Sequence, residues 1–183
     1  MSAVARGLAT VSILAAVSSN AQPVASDPAA RREAMQLLAY LVGSWSGDAR
    51  MTLGPGRTES FRQTEQVRFA VGGQVLVIDG VGRALKDGTP GDTAFQAFGM
   101  LDWRPERGYQ LRSMTHEGRE GTFVVTPLAE GQGFTWGFEV PGGRTRYTIR
   151  LTPEGEWHER GEFSRDGQQW FQTMEMRLRR VAR

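Results

Sequence analysis

The sequence predicts an all-β fold: an antiparallel up-and-down β-barrel of about ten strands, preceded by one short helix. Three observations point there. From Ser44 onward, short segments alternate apolar and polar residues. Turn-forming stretches such as "GPGR", "PGGR" and "RDGQ" separate them. No helical period long enough for a crossover connection lies between them, and parallel strands require such connections, so the sheet is antiparallel. An open meander of this length would expose two long edges, and closure removes both. A two-sheet sandwich is the alternative; it would need longer inter-sheet connections than the sequence contains.

The first 21 residues read as a signal peptide. Arg6 precedes an apolar run from Leu8 to Val17, and Ser19 and Ala21 form a small-x-small cleavage pattern. The run is short for a bilayer span. The expectation is export to a periplasmic or extracellular location, with no membrane insertion after cleavage. Residues 22–27 form a linker. Asp27 or Ser26 can cap a helix, and Pro28 suits its first turn. Ala34, Leu37, Leu38 and Leu41 then recur at helical spacing opposite Arg31, Arg32 and Glu33, which predicts an amphipathic helix over 28–42. Gly43 releases the chain into the barrel domain, 43–182.

The strands follow in order. Trp45, Gly47, Ala49, Met51 and Leu53 share one face of the first, with Ser46, Asp48, Arg50 and Thr52 on the other. The second alternates Phe61, Gln63, Glu65, Val67 and Phe69 against Arg62, Thr64, Gln66 and Arg68. "QVLVIDGVGR" is the third, and "KDGTPGD" is the longest break. "TAFQAFGMLDW", "YQLRSMTH", "TFVVTPL", "FTWGFEV", "TRYTIRLT", "EWHERGEFS" and "QWFQTMEMRLRRV" complete the set.

Bulk properties exclude several function classes. The chain has 183 residues, enough for one domain with a real core, and a formal charge of +2. Loss of Arg6 would bring that to about +1. The basic residues are dispersed, and only Arg177, Arg179 and Arg180 cluster, so no nucleic-acid partner is expected. With no cysteine, disulfides, thiolate metal sites and a cysteine nucleophile are ruled out. An exported barrel would hold by packing and strand closure alone.

"LVGSWSG", following a helix and opening a series of antiparallel strands, resembles the Gly-x-Trp start of the calycin superfamily. That superfamily includes lipocalins, fatty-acid-binding proteins and the haem-binding nitrobindins. Together with "GGQVLVIDGVG", "FGMLDW", "GFTWGF", "EWHERGEF" and "EMRLRRV", it looks like a bacterial lipocalin-like domain family of unknown function, over about residues 35 to 181. The resemblance implies a calycin-like barrel. It also implies that the motif tryptophan, Trp45, packs across the closed end beneath a basic residue of the last strand. Arg177 and Arg179 are the candidates, since a guanidinium stacked on an indole gains cation–π energy.

Polar residues on apolar faces mark the candidate site, because burying them costs free energy unless they find partners. Glu65, Tyr109, Arg112, Tyr147 and Glu159 form the expected ligand-binding set. The bland reading is an internal salt bridge of Arg112 with Glu65 or Glu159. Fatty-acid-binding proteins hold a carboxylate with an arginine and a tyrosine inside the barrel, and Arg112 and Tyr147 match those residue types. His116 and His158 are the candidate haem ligands if the nitrobindin resemblance is close; surface histidines are the plainer reading of both. No cofactor and no metal site is otherwise expected, and no catalytic residues are assigned. There is no G-x-S-x-G elbow, and Ser113 and His116 fall on opposite faces of a strand.

The sequence therefore predicts a monomeric or weakly dimeric barrel holding a small hydrophobic or amphipathic molecule. The alternatives are a small barrel enzyme, a hydrolase or isomerase using interior carboxylates, and a haem-binding nitrobindin-like barrel.

Overall fold

The computed structural model describes residues 27–130 and 132–182. The expected signal peptide, and the linker up to residue 26, lie outside the described residues. Helix α1 (Pro28–Gln36) begins where Asp27 accepts a hydrogen bond from the backbone N–H of Ala29, with Pro28 in its first turn. The regular helix stops short of Val42. A single 3-10 turn, Ala39–Leu41, carries the chain to the first strand.

Ten strands follow: β1 (Gly43–Gly54), β2 (Arg57–Ala70), β3 (Val75–Lys86), β4 (Thr89–Arg104), β5 (Gly108–Thr115), β6 (Glu120–Pro127), β7 (Gly133–Val140), β8 (Gly143–Leu151), β9 (Trp157–Ser164) and β10 (Phe171–Arg180). Each pairs antiparallel with its neighbour in sequence, and β1 pairs with β10 to close the barrel. The all-β, up-and-down expectation holds, and the sandwich alternative falls with this closure. The long break expected at "KDGTPGD" is instead a tight hairpin. Asp87 and Gly88 both take positive φ, 51° and 77°, as a two-residue turn of the twist-matching type requires. β3 and β4 run up to either side of it, with the register shifting near Pro90, which cannot donate to the ladder.

Register fixes what faces inward, since directly paired residues point to the same side of the sheet. Trp45 pairs with Glu65 and Arg180, Glu65 with Gly80, and Leu76 with Leu101, which pairs in turn with Leu111. Continuing around, Val125 pairs with Trp136, Trp136 with Tyr147, and Ile149 with Glu159. One end of the barrel is packed solid. Trp45, Leu76, Leu101, Phe134, Trp157 and Leu178 are buried there, with Met35, Leu38 and Leu41 from the helical segment pressed onto them. The Tyr109 hydroxyl donates to the carbonyl of Ala34, tying β5 to α1.

Trp45 is the centre of this closed end. Its indole N–H donates to the carbonyl of Leu41 at 2.7 Å, and its ring meets Trp157 edge-on at 5.8 Å. The guanidinium over it is that of Arg180, 4.2 Å from the ring centroid. Arg180 also donates to the carbonyls of Tyr40 and Val42, so it clamps the 3-10 turn against the strand. The expected Arg177 and Arg179 have the wrong parity. They alternate with the inward Met176 and Leu178, so they lie on the outer wall, where Arg177 pairs with Glu175 and Arg179 with Glu156. Gly47 serves the seam with β10: a Cβ there would lie 2.0 Å from the backbone oxygen of Arg177, so the glycine admits that strand at close range. Arg180→Ala should cost about 1–3 kcal/mol of stability, while Arg177→Ala and Arg179→Ala stay within roughly 0.5 kcal/mol. Urea unfolding of the three variants separates these outcomes, and equal losses for all three would remove Arg180 from the clamp.

Candidate functional site

The other end of the barrel is not packed solid. Phe61, Ser113, Phe123, Trp136, Tyr147 and Met174 all point inward by register, yet each retains part of its accessible surface. Phe138, inward at the far end of β7, is 37% exposed. An inward side chain keeps accessible surface only where the lumen is open, so this half of the barrel is a cup. Barrels wider than about eight strands have room for one.

One wall of the cup is aromatic. Trp136 stacks on Tyr147 with centroids 4.4 Å apart and planes 15° from parallel. Phe123 packs 5.2 Å from both Trp136 and Phe138. The alternation in "FTWGF" places Phe134, Trp136 and Phe138 on one face of β7, and cross-strand pairing brings them beside Tyr147 and Phe123. Apart from Tyr147, this wall was absent from the site expected from sequence. Its signal was there in the alternation, but which strands stand side by side depends on register.

The opposite wall is polar. Gln63 and Glu65 point inward from β2, both buried, and the Gln63 amide donates to Glu65 Oε1 at 2.8 Å. Their side chains lie flat across β3, because glycines face them. A Cβ on Gly80 would sit 2.6 Å from Glu65 Oε2, and one on Gly82 would sit 2.7 Å from Gln63 Oε1. Glu159 enters from β9, the strand beside β8 on the aromatic side, also buried. Burial pushes the Glu65 carboxyl up to about 8; the Gln63 bond opposes this, while Glu159 and then Asp79 add to it. Burial likewise pushes Glu159 up to about 7, against a lowering pull from the Trp157 indole. That indole N–H is buried and falls short of a proper hydrogen bond. The Tyr147 phenol is raised by burial first and by Glu159 second, with Arg119 acting in the other direction.

The five expected ligand-binding residues therefore divide. Glu65, Glu159 and Tyr147 come together in the cup. Tyr109 also points inward but lies at the closed end, committed to α1. Arg112 is on the outside: it pairs with Met100 and Thr122 in register and alternates with the inward Leu111 and Ser113. There it joins Arg31 and Arg104 around the buried Asp102 carboxylate, at 3.8, 3.6 and 3.7 Å. The expected salt bridge between Arg112 and Glu65 or Glu159 does not form.

Neither histidine faces the lumen. His158 is bonded to Glu175 on the outer wall at 2.9 Å, and His116 accepts from the backbone of Gln96 at an exposed turn. A haem axial ligand would have to point inward, so the histidines present do not fit that group. No group of three or more His, Cys, Asp or Glu residues able to hold a metal ion occurs among the described residues.

Fold and site together define a class: a closed ten-stranded antiparallel barrel, stoppered at one end by a helix and open at the other as a cup with one aromatic and one acidic wall. Among solved structures, the chain is similar to "Crystal Structure of Rv2717c from M. tuberculosis", with a TM-score of 0.63 and 19% sequence identity over 81% of this chain and 98% of that one. At that identity the likeness is one of fold. No protein-family model and no curated protein matches the sequence.

Proposed function

We propose that this protein is an exported, calycin-like carrier that binds one small, partly apolar molecule in the cup. The observation that carries the reading is the set of inward aromatic side chains left partly exposed at one end of the barrel. A concave apolar wall with a few convergent polar groups is the ordinary form of a small-molecule site.

The test is saturable binding of a neutral fluorescent probe, N-phenylnaphthylamine, to the folded protein. One site per chain is expected. Trp136→Ala and Tyr147→Ala should each weaken binding by about tenfold, because each removes an aromatic face worth on the order of 1–2 kcal/mol. Arg112→Ala should leave it unchanged. Absence of saturable binding by folded protein would overturn the cup reading.

A second reading is kept by the two neighbouring buried carboxyls, whose environments could support proton transfer in a barrel enzyme. It requires turnover that disappears in Glu65→Gln or Glu159→Gln while the fold is retained.

A further inference from the structure

We infer that the molecule the cup takes is an organic cation, an amine or ammonium compound with an aromatic or otherwise apolar body, whose charged head sits between Glu65 and Glu159 and whose body lies along Trp136 and Tyr147. This rests on the cup reading above and specifies the ligand class.

Charge inside the barrel is one-sided. Among the described residues at the inward positions of the ten strands, the cations are Arg180, spent on Trp45 and the 3-10 turn at the closed end, and Arg57 and Lys86, exposed at the hairpin tips of the open rim, where Arg57 is paired with Glu59. The inward anions are Glu65 and Glu159, with Glu59 near the open rim beside Arg57. The other groups facing the pair are Gln63 on β2, Asp79 on β3, the Trp157 indole on β9 and the Tyr147 phenol on β8; Arg119 at the β5–β6 turn acts on Tyr147 and is itself paired with Glu117. An anionic head such as a carboxylate would meet two acids and no free guanidinium, because Arg112 is outside.

The acids are also unfinished. Glu65 Oε2 receives no hydrogen bond within the described residues, and the Glu159 carboxyl, 8% exposed, receives none that meets hydrogen-bond geometry. Neither carboxyl oxygen is among the fully enclosed unpaired atoms, so a donor that enters the cup can complete them. A metal ion would need more protein ligands than two carboxylates supply. An ammonium head brings donors for both oxygens and a positive charge for the pair. The faces of Trp136 and Tyr147 then attract its substituents through the ring quadrupole. Gly80 is part of the device, since any larger residue there would push the Glu65 carboxyl off the wall.

Three fluorescent probes with one ring system separate the possibilities: naphthylmethylamine, naphthylmethanol and naphthoate, carrying cationic, neutral and anionic heads. The amine should bind about tenfold or more tightly than the alcohol, and naphthoate most weakly. The preference for the amine should grow from about pH 6 to about pH 8 as the coupled acids lose their protons, with the alcohol flat over that range. Glu65→Gln, Glu159→Gln and Gly80→Ala should each lower the amine-to-alcohol ratio by about tenfold. Should a variant fail to fold, the pH series on the unaltered protein decides by itself. An alcohol that binds as tightly as the amine, or a naphthoate that binds best, overturns the cation inference and leaves the cup standing. If none of the three binds, the cup itself is refuted.

Discussion

Trp45→Ala should remove about 3–5 kcal/mol of stability, the range for deleting a large buried aromatic side chain. The residue is fully buried and contacts three separate parts of the chain: Leu41 through its N–H, Trp157 through its edge and Arg180 through its face. Marginal domains hold only about 5–15 kcal/mol in total, so this variant should unfold at a much lower urea concentration or fail to accumulate. Trp45→Phe isolates one component. It keeps a ring in the core but leaves the Leu41 carbonyl without its donor, at a cost of roughly 1–3 kcal/mol. Urea titrations followed by far-ultraviolet circular dichroism measure both. A loss below about 1 kcal/mol for the alanine variant would show that the closed end does not depend on this side chain.

The second large effect is on the pH dependence of stability. Glu65 and Glu159 are both raised in the folded protein, to about 8 and about 7, whereas an unfolded chain would titrate them near the ordinary glutamate value. Between those limits the folded state holds more protons than the unfolded state, so stability falls as pH rises. The contribution is fully present below about pH 4 and is lost progressively through the folded titrations, up to roughly pH 8. The two acids repel each other, so they titrate as a pair. The expected loss is on the order of a few kcal/mol, seen as a thermal midpoint lower at about pH 9 than at about pH 5. Glu65→Gln and Glu159→Gln should each flatten the slope and raise the midpoint on the alkaline side. A midpoint that climbs with pH over this interval would contradict the burial of both carboxyls.

Much of the architecture was legible in the sequence, for a physical reason. In a meander each strand pairs with the next, so turn residues and period-2 alternation between them carry nearly the whole topology. The misreadings share one origin. Tyr109 and Arg112 are three apart on one strand and so must point to opposite sides, yet both were expected in the lumen. Arg177 and Arg179 fail the same test against Met176 and Leu178. A strand's alternation is visible in sequence, but which of its faces is inward is settled by its partners. Where one face was decisively apolar, as with Phe61, Val67 and Phe69 beside Gln63 and Glu65, the inward set was correct. Where arginine shared a mixed face with methionine and histidine, as at the end of β5, it was not. The glycines opposite Glu65 and Gln63 were invisible for a related reason: Gly80 and Gly82 matter only because β3 lies beside β2 in that register.

The closing seam has a consequence for how the barrel is assembled. Every pairing joins neighbours in sequence except the one between β1 and β10. Local hairpins can therefore form quickly while contact order stays low, but ring closure requires the two most distant segments of the domain to meet. The residues that complete the ring around Trp45, Leu178 and Arg180, belong to the strand of the barrel that is synthesised last. Until they arrive, the growing chain is a curled ribbon with two unpaired edges, the state in which edge-to-edge aggregation is most dangerous. Loss of β10 should therefore do more than shorten the sheet: it should leave a ribbon that cannot become a ring.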